Sequence, residues 1–286
     1  MGTMSHLVTA ADLAHEIEDV VVIDVRWTLT TAGQDQPGPA EYAAGHVPGA
    51  FFVDLETELA GPPGAGGRHP LPDPAVVESA LRRCGVSART RVVVYDGRES
   101  YAAARAWWVF RWVGLGDVRV LDGGFAAWVG AGLPVSTEVP EPHHGGFVAR
   151  PGSMPTVDAR GAADVAGAGL LLDARAAERY AGDLEPIDPV AGHIPGAVSS
   201  PAASWLTEDG TFRTDLAEHW SAVSATRSAG EASSDRVAVY CGSGVTAAHE
   251  VLALAEIGVD AALYPGSWSE WLRDPSRPVA TGPTPG

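Results

Sequence analysis

The chain repeats itself. "VVVIDVRW" at 20–27 leads to "AEYAAGHVPGAFFVD" at 40–54, and "GLLLDARA" at 169–176 leads to "ERYAGDLEPIDPVAGHIPGAV" at 178–198. "RVVVYDGRES" at 91–100 pairs with "RVAVYCGSGV" at 236–245, and "LDGGFAAW" at 121–128 with "YPGSWSEW" at 264–271. Four matched segments in the same order make the 286-residue chain a tandem duplication. Each copy, at roughly 140 residues, is of ordinary domain size.

Short β-branched runs alternate with helical periodicity in both copies. Val20–Val25, Val92–Tyr95 and Arg119–Leu121 read as strands in the first copy, and Leu170–Asp173, Val237–Tyr240 and Ala262–Tyr264 in the second. "AAARAWWVFRWV" and "TAAHEVLALAEIG" read as helices, the latter closed by Gly258. Continuous apolar strands separated by helices predict an α/β fold: two parallel sheets, each flanked by helices on both faces. The expected division is a first domain over 1–137, a Pro- and Gly-rich linker over 138–155 and a second domain over 156–286. "GPPGAGGRHPLP" at 61–72 reads as a surface loop of the first domain.

Composition narrows the function classes. A net charge of −17 argues against a nucleic-acid surface and against binding to acidic membranes. No stretch approaches the ~18 uninterrupted apolar residues of a membrane span. The first twenty residues lack the basic start and apolar core of a signal peptide. With Cys84 and Cys241 as the only cysteines, neither a disulfide framework nor a zinc site is expected, and a reducing cytoplasm is the expected compartment.

Cys241 stands where a strand ends and a helix begins, the usual place for ligands in open α/β folds. The first helical turn there has unpaired N–H groups and partial positive charge. Gly242 and Gly244 allow the loop to bend into an anion nest, in which a thiol is a better nucleophile at neutral pH. In the other copy Asp96 stands in place of Cys241, so the turn itself does not require sulfur. Cys84, near a helix end, reads as structural. His46 and His193 occur in both copies before Pro-Gly turns and read as packing residues. Trp107, Trp108 and Trp112 read as core or interface residues.

"CGSGVTA" at 241–247 resembles the active-site loop of the 3-mercaptopyruvate sulfurtransferases in the tandem-domain rhodanese superfamily. "GHVPGA", "GHIPGA", "LDGG" and "GSWSEW" extend the resemblance along nearly the whole chain. The resemblance implies a silent N-terminal domain, a cleft between the domains, and sulfur transfer through a Cys241 persulfide to a thiophilic acceptor such as thioredoxin, a small thiol or cyanide. No cofactor or metal is implied. Ser243, His69 and Glu56 match the family's proton relay, and Arg179 its substrate-carboxylate anchor. The N–H groups of Gly242, Ser243, Gly244, Val245, Thr246 and Ala247 form the cradle. The family's second arginine, after "EP", is here Ile187. That departure keeps thiosulfate open as an alternative donor, whereas the absence of basic residues from the loop favours 3-mercaptopyruvate. A phosphatase would need an arginine six positions beyond the cysteine, where Ala247 stands. A non-catalytic binding module is the other alternative, and it ordinarily lacks the cysteine.

Overall fold

A computed structural model describes residues 5–29, 36–142, 144–226 and 235–286. Parts of both expected domains and His143 of the expected linker therefore lie outside the described residues. Two compact units are present. The first comprises Met1–Gly61, Leu71–Met154 and Glu208–Thr211; the second comprises Pro62–Pro70, Pro155–Thr207 and Phe212–Gly286.

Each unit contains one parallel sheet. In the first, β1 (Leu7–Val8), β2 (Val21–Asp24), β3 (Phe51–Phe52), β4 (Val92–Tyr95) and β5 (Val118–Leu121) run in the order β1-β5-β4-β2-β3. In the second, β6 (Leu170–Asp173), β7 (Val198–Ser199), β8 (Val237–Tyr240) and β9 (Ala261–Leu263) run in the order β7-β6-β8-β9. Every residue of β4 and of β6 is buried, so both faces of those strands are covered, as the unbroken apolar runs predict. The two-residue strands β1, β3 and β7 were not anticipated, because periodicity cannot show in so short a run. Among the described residues no helix is long and apolar enough to cross a membrane.

The duplication extends to individual hydrogen bonds. Asp24 pairs with Arg26 (2.7 Å) and Asp173 with Arg175 (2.6 Å), both acids fully buried. Arg26 Nη2 donates to the Gly45 carbonyl at 2.7 Å, and Arg175 Nη2 to that of Gly192 at 2.6 Å. The Tyr42 and His46 rings stack at 4.0 Å and those of Tyr180 and His193 at 3.8 Å. The hydroxyls of Tyr42 and Tyr180 donate to the carbonyls of Ala50 and Ala197, each at 2.7 Å. Buried charges need partners of this kind, because an unpaired one would cost several kcal/mol.

Two expected boundaries are corrected. Residues 145–150 are not a free linker: the N–H groups of Gly145, Phe147 and Arg150 donate to the carbonyls of Arg82, Val86 and Val113. Phe147 is buried, and its burial holds the segment to the first unit. Conversely, Pro62–Pro70 belongs to the second unit rather than to the first. An added Cβ on Gly67, at φ +100°, would lie 2.7 Å from the Gly266 carbonyl oxygen and 2.8 Å from Ser269 Oγ. Only a glycine lets this loop lie so close.

The helix Val245–Glu256 buries Glu250 completely. Its Oε1 accepts from Ser200 Oγ at 2.5 Å, while Oε2 has no hydrogen-bond partner among the described residues. Burial, reinforced by nearby Asp173, pushes the Glu250 carboxyl up to about 8. The folded state thus keeps a proton that the unfolded chain releases above its ordinary value of 4.5, so this group's contribution to stability falls as pH rises from about 4.5 to about 8. Glu250→Gln removes that dependence. Its Tm relative to the native protein is expected to rise by about 4 °C or more between pH 5 and pH 8, as read by thermal melts. A difference that stays constant with pH contradicts the assignment.

Candidate active site

β8 delivers Tyr240 to the sheet and ends, so Cys241 leaves its carboxyl end directly into the helix Val245–Glu256. Gly244 caps that helix at φ +82°, where an added Cβ would lie 2.5 Å from the Pro265 carbonyl oxygen. Only glycine fits there. The Gly244 N–H donates to Cys241 Sγ at 3.1 Å, so the thiol already occupies the helix N-terminus. Ser267 fixes the cysteine backbone from the other side. Held at φ +53°, its Oγ accepts from the Cys241 N–H at 3.1 Å and donates to the Tyr264 carbonyl at 2.9 Å. Cys241 is 3% exposed and Ser243 6%.

The first unit holds the same loop with a different occupant. Asp96 follows β4 as Cys241 follows β8, but four residues rather than three carry it to the helix cap at Ser100. Asp96 Oδ1 accepts from the N–H groups of Arg98 (3.1 Å) and Ser100 (3.0 Å), and Oδ2 from those of Ala102 (2.9 Å) and Ala103 (3.2 Å). Burial pushes its carboxyl above the ordinary value, against the four N–H groups that favour the anion. Counted from the helix caps, Ser100, Ala102 and Ala103 correspond to Gly244, Thr246 and Ala247. Asp96 therefore marks where an anion sits in such a loop.

His69 lies in the second unit and brings Nδ1 within 2.7 Å of Ser243 Oγ, with both residues buried. Glu56 belongs to the first unit, where its Oε1 accepts from the Trp27 indole N–H at 2.6 Å. Arg179 sits on the short helix Ala177–Ala181 and is not a free cation. Its Nε and Nη2 hold Glu185 at 2.7–3.1 Å, and Nη2 also reaches Asp188 at 3.1 Å. Burial raises the Glu185 carboxyl, but the bonds from Arg179 and from the Asp188 and Ile187 N–H groups win and hold it below the ordinary range.

Sequence reasoning missed Arg68, which the Pro62–Pro70 loop carries beside His69. Arg68 Nη1 pairs with Asp188 Oδ1, and its N–H donates to Ser269 Oγ at 3.0 Å. A Cβ built on Gly242 would lie 2.8 Å from Arg68 Nη2 and 3.6–3.7 Å from the two Arg179 Nη atoms. Two guanidinium groups therefore lie over the residue next to Cys241, although the loop itself carries no basic side chain. The only signal in the sequence was adjacency to His69. His46 and His193 are fully buried, each with Nδ1 bonded to a tyrosine carbonyl of its own unit.

Cys84 caps the helix Pro74–Arg83 and is buried; burial pushes its thiol up to about 12, although Arg83 opposes the shift. In the native protein at pH 7.5, iodoacetamide is expected to label Cys241 at least tenfold faster than Cys84, read by peptide mass spectrometry. Equal labelling would contradict the distinct environments of the two thiols.

The profile of the rhodanese-like domain matches residues 9–131 and again residues 158–274. SseB of Mycobacterium tuberculosis, named provisionally as a thiosulfate sulfurtransferase, is 48% identical over 292 residues, covering 96% of this chain and 97% of its own. A Pseudomonas aeruginosa protein, named provisionally as a 3-mercaptopyruvate sulfurtransferase, is 43% identical over 288 residues, covering 97% of this chain and 99% of its own. The crystal structure of the Escherichia coli 3-mercaptopyruvate sulfotransferase SseA superposes with a TM-score of 0.77 at 32% identity, covering 93% of this chain and 100% of that one. With two matched copies of the domain, a loop built around Cys241 in one and Asp96 in the other, the chain belongs to the rhodanese-like family.

Proposed function

We propose that the protein is a sulfurtransferase that moves sulfur from 3-mercaptopyruvate, through a persulfide on Cys241, to a thiol acceptor or to cyanide. The observation that carries this reading is the pair of loops: one copy fills its N–H cradle with the Asp96 carboxylate, and the other offers the same position to Cys241. A persulfide is an anion on a longer arm than a thiolate. Its outer sulfur would take the N–H groups of Thr246 and Ala247, the counterparts of those bound by Asp96 Oδ2.

The steps balance without an external oxidant or reductant. The Cys241 thiolate attacks the thiol sulfur of the donor, the S–S bond forms, the C–S bond breaks, and its electron pair leaves on the enolate of pyruvate. The enolate carbon takes a proton, and the outer sulfur of the new persulfide loses one. Ser243 and His69, in contact at 2.7 Å, are the groups for that transfer. A thiolate acceptor then attacks the outer sulfur and restores the Cys241 thiolate.

Charge favours 3-mercaptopyruvate over thiosulfate. Arg68, Arg175 and Arg179 face Asp173, Glu185 and Asp188 in one network, so their formal charges cancel. A planar monocarboxylate suits a guanidinium fork in such a neutral network better than a dianion does. Thiosulfate stands as the second reading, because the 48%-identical relative is named for it. Steady-state kinetics with cyanide as acceptor separates the two. The expected kcat/KM for 3-mercaptopyruvate exceeds that for thiosulfate by about tenfold or more, and Cys241→Ala abolishes turnover of both. A thiosulfate preference of the same size overturns the donor assignment, and persistent turnover in Cys241→Ala overturns the reaction.

A further inference from the structure

We propose that Ser269 is a positioning residue for the proton relay: its hydroxyl and its main chain tie together the two loops that bring His69 to Ser243. The inference rests on the sulfur-transfer reading above and names how its relay is held. Ser269 lies on the short helix Ser267–Trp271 and is buried. Its N–H donates to the Gly242 carbonyl at 3.0 Å, and its Oγ accepts from the Arg68 N–H at 3.0 Å. Gly242 immediately precedes Ser243, and Arg68 immediately precedes His69. One residue thus bonds the backbone just before each member of the 2.7 Å contact between His69 Nδ1 and Ser243 Oγ.

The hydroxyl is oriented for this task. It donates its own proton to the Gly266 carbonyl at 3.1 Å, which leaves its lone pairs to accept from Arg68. Gly67 completes the fit: an added Cβ there would lie 2.8 Å from Ser269 Oγ, so the loop that carries His69 rests directly on the hydroxyl. The other copy of the domain shows which half of the arrangement the fold requires. Ala126 stands in place of Ser269 in the matched segment "LDGGFAAW", and its N–H donates to the Gly97 carbonyl at 3.0 Å. The main-chain bond is therefore common to both copies, whereas the hydroxyl is present only in the copy that holds Cys241. The main chain serves the turn, and the hydroxyl serves the loop that carries His69. A proton passes efficiently only between groups held within hydrogen-bond reach, and a misplacement of about 1 Å can cost on the order of 100-fold in rate.

The test uses Ser269→Ala, which removes the hydroxyl and keeps the N–H, alongside His69→Ala and the double variant. The first turnover of pyruvate release is followed over a range of 3-mercaptopyruvate concentrations without acceptor, and iodoacetamide labelling of Cys241 is measured in parallel. Expected for Ser269→Ala is a maximal release rate lowered about tenfold, with the half-saturating donor concentration within about threefold of native and Cys241 labelling within about twofold. The double variant is expected to be no more than about twofold slower than His69→Ala, because a residue that acts through His69 has nothing left to position. An unchanged release rate, a loss carried by half-saturation alone, a parallel fall in Cys241 labelling, or losses that multiply in the double variant overturns the proposal. Failure of the sulfur-transfer reading is distinct: the native enzyme itself would then release no pyruvate.

Discussion

A strand that ends against a helix N-terminus leaves backbone N–H groups that need an acceptor, and both units of this protein are organised around that need. The first unit satisfies it permanently. Asp96 spends both carboxylate oxygens on four N–H groups, which leaves that loop closed to any other anion. The second unit satisfies it provisionally, with one bond from Gly244 to the Cys241 sulfur. The extra residue between Asp96 and its helix cap matches the difference in occupant, because a planar carboxylate accepts from both sides where a thiol accepts from one. The two loops thus differ in their occupant, a carboxylate in the first unit and the Cys241 thiol in the second, and in the one extra residue before the first unit's helix cap.

Around the cysteine loop, charge is arranged as a closed network rather than as a free positive patch. Asp173, Arg175, Glu185, Arg179, Asp188 and Arg68 run from the interior of the sheet to Gly242 as alternating partners. The position of each guanidinium is set by a carboxylate with little or no exposure, which fixes geometry at little cost in side-chain entropy on binding. Arg179 is thereby engaged with both Glu185 and Asp188. Among the described residues, Arg68 Nε is buried without a hydrogen-bond partner.

Much of this was legible in the sequence, and the reasons are physical. β4, β6 and β8 lie where their apolar runs put them, because a strand covered on both faces is apolar along its run, with Asp173 at the end of β6 met by Arg175. The duplication exposed Cys241 by subtraction, since Asp96 in the other copy keeps the strand and drops the sulfur. The contact between His69 and Ser243, expected from family resemblance, is present at 2.7 Å. What stayed hidden depends on tertiary contact. The two-residue strands carry no periodicity, and Phe147 gives no local sign that it buries residues expected to be a linker. Nothing in "GPPGAGGRHPLP" says that its arginine packs over a glycine more than 170 positions away. The role of Ser267, held at positive φ to grip the Cys241 backbone, was equally invisible in "GSWSEW".

The central claim is that Cys241 carries the sulfur as a covalent intermediate. Intact mass spectrometry after a single turnover with 3-mercaptopyruvate, before any acceptor is added, tests it most directly. The account predicts a gain of about 32 Da, one sulfur atom, that maps to the Cys241 peptide and disappears on adding a thiol. A protein of unchanged mass that nevertheless releases pyruvate, or an adduct on Cys84 in place of Cys241, would contradict it.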